Sequence, residues 1–240
     1  IAPSLNGHAD SESPVITMGW KDRLDVIDWV NFVAENYPES KIVLHGESMG
    51  SATTMMATGE TLPENVKVAV ADCGFTSVWD IFSNKITNSF KMHEFPMLYS
   101  ASTVNKLYSG FDFKEASSIE QLKKSKTPTI FLHGENDKFV PYEMLDKVYE
   151  AAACEKAKVT IPNAPHARNA CANPELYWDS ILNFINKYLE EKITFAVFIF
   201  SSYFIKYHAK NRINNIFAIS DGWNENEPIP NQRLIPSPPP

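Results

Sequence analysis

Residues 41–50 read Lys41-Ile42-Val43-Leu44-His45-Gly46-Glu47-Ser48-Met49-Gly50. Lys41 to His45 is short and mainly apolar, the pattern of a strand buried on both faces of a parallel sheet. From Met49 to Thr58 the residues are small or unbranched, among them Ala52, Met55, Met56 and Ala57, and predict a helix that Gly59 can end. Between strand and helix stands Gly46-Glu47-Ser48-Met49-Gly50. Glycines at both flanks let the chain turn sharply, which lifts the serine oxygen clear of the sheet while the next N–H groups open the helix. Ser48 is therefore the candidate nucleophile. Gly46 and Gly50 permit its turn, and Met49 is the candidate donor of a backbone N–H to an oxyanion. The bare pentapeptide is a weak signal, and its position between strand and helix gives it meaning.

Working outward, the same alternation continues. Val26, Val30, Val33 and Tyr37 recur at steps of three and four and predict one helical face, broadened by Trp29 and Phe32 and stopped by Pro38. Further strands are expected at Val66–Ala71, Pro128–Leu132 and Lys158–Ile161, with helices at Tyr142–Ala153 and Pro174–Tyr188. Short apolar strands alternating with helices specify an α/β fold: a mostly parallel sheet with flanking helices. Residues 1–17 are expected to be loop after a very short strand.

Two stretches break this rhythm. Between Phe75 and Lys126 lie about fifty residues, far beyond an ordinary strand–helix connection. Trp79, Phe82, Phe90, Met92, Phe95, Met97, Tyr99 and Tyr108 make the insertion, about 76–126, a candidate helical cap; the alternative is an extra helical layer with its own small core. Residues 193–240 also differ from the rest. Ile193 to Ile205 is strongly apolar but short of the roughly 20 residues a spanning helix needs. The expectation is one α/β domain over 1–192 and a dispensable tail over 193–240, packed or interfacial at first and then extended in Pro236-Ser237-Pro238-Pro239-Pro240.

A serine hydroxyl needs a base to become a nucleophile, and that base needs an orienting carboxylate. After a strand–turn–helix serine these follow in the order acid, then histidine, each in a loop past a later strand. Asp137 lies just past the strand at Pro128–Leu132, and His166 just past that at Lys158–Ile161. His45 and His133, each at a strand end before glycine, fit structural roles better. His8 is a candidate neighbour of the site, whereas His93 and His208 have no recognisable setting. Cys73 is not placed as a nucleophile.

Composition narrows the function classes. The 22 Lys+Arg against 29 Asp+Glu give a formal charge of −7, which disfavours nucleic acid or an anionic membrane surface as partner and fits a small or neutral substrate better. Three widely spaced cysteines, Cys73, Cys154 and Cys171, contain no C-x-x-C pair and suggest free or buried thiols. No zinc, calcium or phosphate-loop motif occurs, so neither metal nor cofactor is expected. With no basic-then-apolar opening segment, the expectation for location is cytoplasmic.

These segments resemble the α/β-hydrolase superfamily, and within it the bacterial serine aminopeptidases and prolyl-oligopeptidase-like hydrolases. The similar blocks are Gly19-Trp20-Lys21-Asp22-Arg23-Leu24-Asp25, Asp72-Cys73-Gly74-Phe75-Thr76-Ser77, and His133-Gly134 with Asp137 and Val140-Pro141. The resemblance covers about residues 5–190. It implies a serine hydrolase that cleaves a small ester, thioester or short peptide through an acyl-enzyme on Ser48, without metal or organic cofactor. The competing expectation is a catalytically silent fragment or ligand-binding module that keeps the pocket. Relatives usually carry Arg-Gly-His-Gly-x-Ser where this chain has Asn6-Gly7-His8-Ala9-Asp10-Ser11. The resemblance also places three strands, and a loop with a second oxyanion N–H, ahead of Ile1. It therefore implies an N-terminally incomplete fold of weak activity, in which Lys41–His45 shows an open edge prone to self-association.

Overall fold

A computed structural model describes residues 1–8 and 11–189 and, for the backbone alone, residues 195–200. Helix α1 (Asp22–Asn36) precedes strand β1 (Lys41–Glu47), helix α2 (Met49–Ala57) and strand β2 (Val66–Asp72). The long insertion follows as α3 (Val78–Asn84), a π-helical turn (Lys85–Ser89), α4 (Met97–Ser109) and α5 (Ser118–Leu122). The chain then runs through β3 (Thr129–Gly134), α6 (Glu143–Ala151), β4 (Lys156–Ile161), α7 (Asn169–Ala172), α8 (Pro174–Ile185) and β5 (Phe195–Phe200). The sheet order is β4-β3-β2-β1-β5, and every neighbouring pair is parallel. This is the α/β-hydrolase architecture of a parallel sheet between helices.

Strand residues alternate between the two faces, so β1, β2 and β3 each feed cores on both sides. Val43, Val68, Val70, Ile130 and Leu132 pack with Tyr177, Ile181, Phe184 and Ile185 of α8. On the other face Ile42, Leu44 and Ala69 meet Val26, Val30 and Val33 of α1, while Ala71 and Phe131 meet α2 and α6. The periodicity seen in α1 holds except at its end. Tyr37 lies past the last helical residue and is 62% exposed, because the chain has left the helical path before Pro38. Residues 1–8 form turns rather than the short strand expected there.

Phe131 is among the largest fully buried side chains, at 1% exposure. Phe131→Ala should cost about 3–5 kcal/mol, the transfer term plus an unfilled cavity between α2 and α6. A urea-unfolding midpoint that hardly moves would show that this layer can collapse around the loss.

The tail departs from expectation. Residues 195–200 form a strand hydrogen-bonded in parallel to β1, with Lys41 opposite Phe195 and Gly46 opposite Phe200. The sheet therefore crosses the boundary drawn at 192/193, and β1 has a partner on both sides instead of an open edge. The thirteen residues Ile193–Ile205 are too few to span a bilayer but ample for a strand of six. The expectations for 201–240, including the proline-rich end and His208, lie outside the described residues. No helix among the described residues is long and apolar enough to cross a membrane.

Candidate active site

Parallel strands bring all their C-terminal ends to one edge of a sheet, and loops leaving those ends meet there however far apart they lie in sequence. Ser48 follows β1, Asp137 follows β3 and His166 follows β4. At their meeting point Ser48 Oγ lies 2.8 Å from His166 Nε2, and His166 Nδ1 lies 2.7 Å from Asp137 Oδ2. An ionised Asp137 only accepts, so Nδ1 carries the proton and Nε2 is left to accept from the serine hydroxyl. The three residues chosen from motif order are thus in continuous hydrogen-bond contact.

The turn that presents Ser48 is strained. Its φ of 55° and ψ of −115° lie where side-chain-bearing residues rarely sit, and its N–H is tied to the Asp72 carbonyl at 2.8 Å. A Cβ on Gly46 would come within 2.1 Å of the Gly50 carbonyl oxygen, so only glycine fits at that end of the turn. Ser48 itself sits at the N-cap of α2, with Met49 the first helical residue. The Met49 N–H has no acceptor inside the helix and belongs to the positive end of its dipole.

Asp137 is held from several sides. Its Oδ1 accepts the N–H groups of Phe139 and Val140, both at 2.9 Å. The buried His133 donates through Nε2 to the Val140 carbonyl at 3.1 Å and leans on Asp137 Oδ2 at 3.3 Å. Burial works to raise the Asp137 pKa, but hydrogen bonds from His133, His166 and the Val140 N–H, with the charge of His166, outweigh it and hold the carboxyl at about 2. His133, assigned a structural role by its strand-end position, is thus a direct neighbour of the acid.

Beneath this set lies a buried polar chain that sequence reasoning missed. Asp72 accepts from Asn169 Nδ2 at 2.5 Å and from the Tyr177 hydroxyl at 2.8 Å, and Tyr177 in turn contacts His45 Nε2 at 3.1 Å. Burial raises the Asp72 pKa and lowers that of His45 from 6.5 to about 4. The folded protein therefore keeps His45 neutral where the unfolded chain would protonate it. That stability is complete above pH 6.5 and drains away as the pH falls toward 4, by about 3 kcal/mol in all. Unfolding free energies measured from pH 7 to 4 should show this slope in the wild type and a flatter curve in His45→Gln. Parallel curves would mean that His45 takes up its proton in the folded state.

Two further residues reach the site without a sequence signal. The Phe139 ring, two positions past Asp137, lies 4.8 Å from the His166 ring at an interplanar angle of 30° and is 51% exposed. Lys85, from the π-helical turn of the insertion, places its Nζ 3.7 Å over Phe139. This contact brings part of the expected cap against the residues around His166. His8 bonds the Asn6 carbonyl inside its own loop at 3.0 Å rather than any of the three central residues. Cys73 is fully buried next to Asp72, and burial pushes its thiol pKa well above the ordinary value.

Comparison with known proteins agrees with this geometry. The model of the prolyl oligopeptidase family matches residues 17–192, most of the chain. The chain belongs to the prolyl oligopeptidase family. This prolyl oligopeptidase family chain is 23% identical over 180 residues to the uncharacterized protein YqkD of Bacillus subtilis, covering 75% of the chain and 59% of that relative. It is 26% identical over 159 residues to the alpha/beta hydrolase domain-containing protein WAV2 of Arabidopsis thaliana, covering 64% and 49%. It thus spans about half to three-fifths of the length of these curated relatives. Among solved structures it is similar to the esterase Pf2001 of Pyrococcus furiosus, with a TM-score of 0.58 and 21% identity over 77% of this chain and 68% of that one. It is also similar to an acylaminoacyl peptidase of Pyrococcus horikoshii, with a TM-score of 0.56 and 14% identity over 73% and 29%. At these identities the structural likeness speaks for the fold of this prolyl oligopeptidase family member alone.

Proposed function

We propose that the chain is a serine hydrolase that cleaves a small ester, thioester or short peptide through an acyl-enzyme on Ser48. One observation carries the reading: the unbroken path from Ser48 Oγ through His166 to Asp137, with contacts of 2.8 and 2.7 Å. His166 Nε2 takes the hydroxyl proton as Ser48 Oγ attacks the carbonyl carbon, and Asp137 stabilises the resulting imidazolium. The tetrahedral oxyanion is met by the Met49 N–H at the start of α2. His166 then gives its proton to the leaving group, and water attacks the acyl-enzyme by the same route in reverse. Family membership supports the hydrolase class, and the half-exposed Phe139 beside His166 supports a substrate with an apolar part near the scissile bond.

The test is covalent. A fluorophosphonate probe should label the folded chain at Ser48, and Ser48→Ala should abolish the label. A folded wild type that takes no label would favour a silent binding module and overturn the proposal.

A further inference from the structure

A third ligand type stands close to Asp137 and His166. One donor atom each of Cys73, Asp137 and His166 lies within 4.8 Å of the other two. A thiol, a carboxylate and an imidazole make a soft-to-intermediate donor set. Sulfur, nitrogen and oxygen donors bind zinc at about 2.0–2.3 Å, which places them about 3.5 Å apart around a tetrahedral ion. His166 Nδ1 and Asp137 Oδ2, at 2.7 Å, would part by less than an ångström on that scale, and the sulfur would draw in by about 1.3 Å at most.

We propose that Cys73, Asp137 and His166 form an inhibitory site for a thiophilic divalent cation of the zinc class. The inhibition rests on the serine-hydrolase reading above; the binding does not. The ion displaces the Cys73 thiol proton to solvent and takes the lone pair of one His166 nitrogen. Bound through Nδ1, it breaks the contact to Asp137 and leaves the imidazole proton on Nε2, which then cannot accept from Ser48. Bound through Nε2, it occupies the base itself. Either way catalysis stops, and three protein ligands leave the fourth position to water. Access runs past His166, whose side chain is 20% exposed while that of Asp137 is fully covered, so inhibition should set in slowly.

The experiment uses the full chain with Cys154→Ser and Cys171→Ser, which removes the two less buried thiols. Equilibrium dialysis against zinc chloride should load one ion per chain, and p-nitrophenyl acetate turnover should fall over minutes and return with EDTA. Adding Cys73→Ser, which keeps an acceptor for the Ala167 N–H, should leave turnover intact and raise the zinc needed for half-occupancy and half-inhibition by about 10–100-fold or more. Cys73→Ala serves as a second variant if the serine form fails to fold. Zinc binding that is equal with and without Cys73, or no binding by the folded protein, overturns the inference. If zinc binds through Cys73 but no ester is turned over, the site stands and the proposed activity falls.

Discussion

Ser48→Ala should lower ester turnover by about 10⁶-fold and Asp137→Asn by about 10⁴-fold, with the double variant no worse than Ser48→Ala alone. The ranking follows from the site. Without the Ser48 oxygen there is no acyl-enzyme, so the other two residues have nothing to act on. An asparagine in place of Asp137 would keep the shape of the side chain but can offer Nδ1 an N–H instead of an acceptor, which favours the wrong imidazole tautomer. The carboxylate that His133, Phe139 and Val140 surround would also be gone, so this variant should lose stability as well as rate. Steady-state kinetics with p-nitrophenyl acetate and urea unfolding separate the two losses. A Ser48→Ala protein that keeps even a hundredth of the wild-type rate would remove Ser48 from the mechanism.

Deleting residues 193–240 should increase aggregation or self-association relative to the full chain. The deletion strips β5 from β1 along six facing residues. At a net ~1 kcal/mol per hydrogen bond, together with the cover the strand provides, the loss is about 5 kcal/mol, comparable to the whole stability of a marginal domain. It also bares the edge of the strand that leads into Ser48, a template for pairing with another chain. Because the deletion removes more than β5, Ala196→Pro and Val197→Pro offer a finer test. Alternate N–H groups of a strand face opposite sides, so one of the two prolines must strike a bond to β1. Light scattering and sedimentation would report the change. A truncated protein that is monomeric and as stable as the parent would show that β1 tolerates an open edge.

What was legible in the sequence followed from local rules. The strand–turn–helix at Ser48 was readable because parallel strands are continuously apolar and the turn excludes a Cβ at Gly46. Asp137 and His166 were readable because parallel topology sends every strand end to the same edge. Other features depend on loop geometry or on contacts between distant residues, neither of which a local pattern encodes. His133 became a neighbour of Asp137 only because the loop after β3 doubles back to place the Val140 carbonyl against it. The link from Asp72 to Asn169, Tyr177 and His45 joins residues about a hundred or more positions apart, and each side chain on its own reads as an ordinary polar residue. The strand at Phe195–Phe200 is not legible locally, because an apolar run alone does not reveal the open side of β1 that it covers. Neither Lys85 nor its position over Phe139 left a trace in spacing or motif.

The pairing of β5 with β1 also orders events in time. During synthesis Ser48, Asp137 and His166 are all made before the strand that flanks the nucleophile strand. That strand emerges about 150 residues after β1, some ten seconds or more at ordinary rates of elongation. Throughout this interval β1 lacks a partner on one side, and its pairing with β5 is the most distant in sequence of the four described, the kind that is slowest to close. A protein that is sound once released can therefore be vulnerable while tethered, and its yield in cells should respond more to chaperone supply and translation speed than its final stability would suggest.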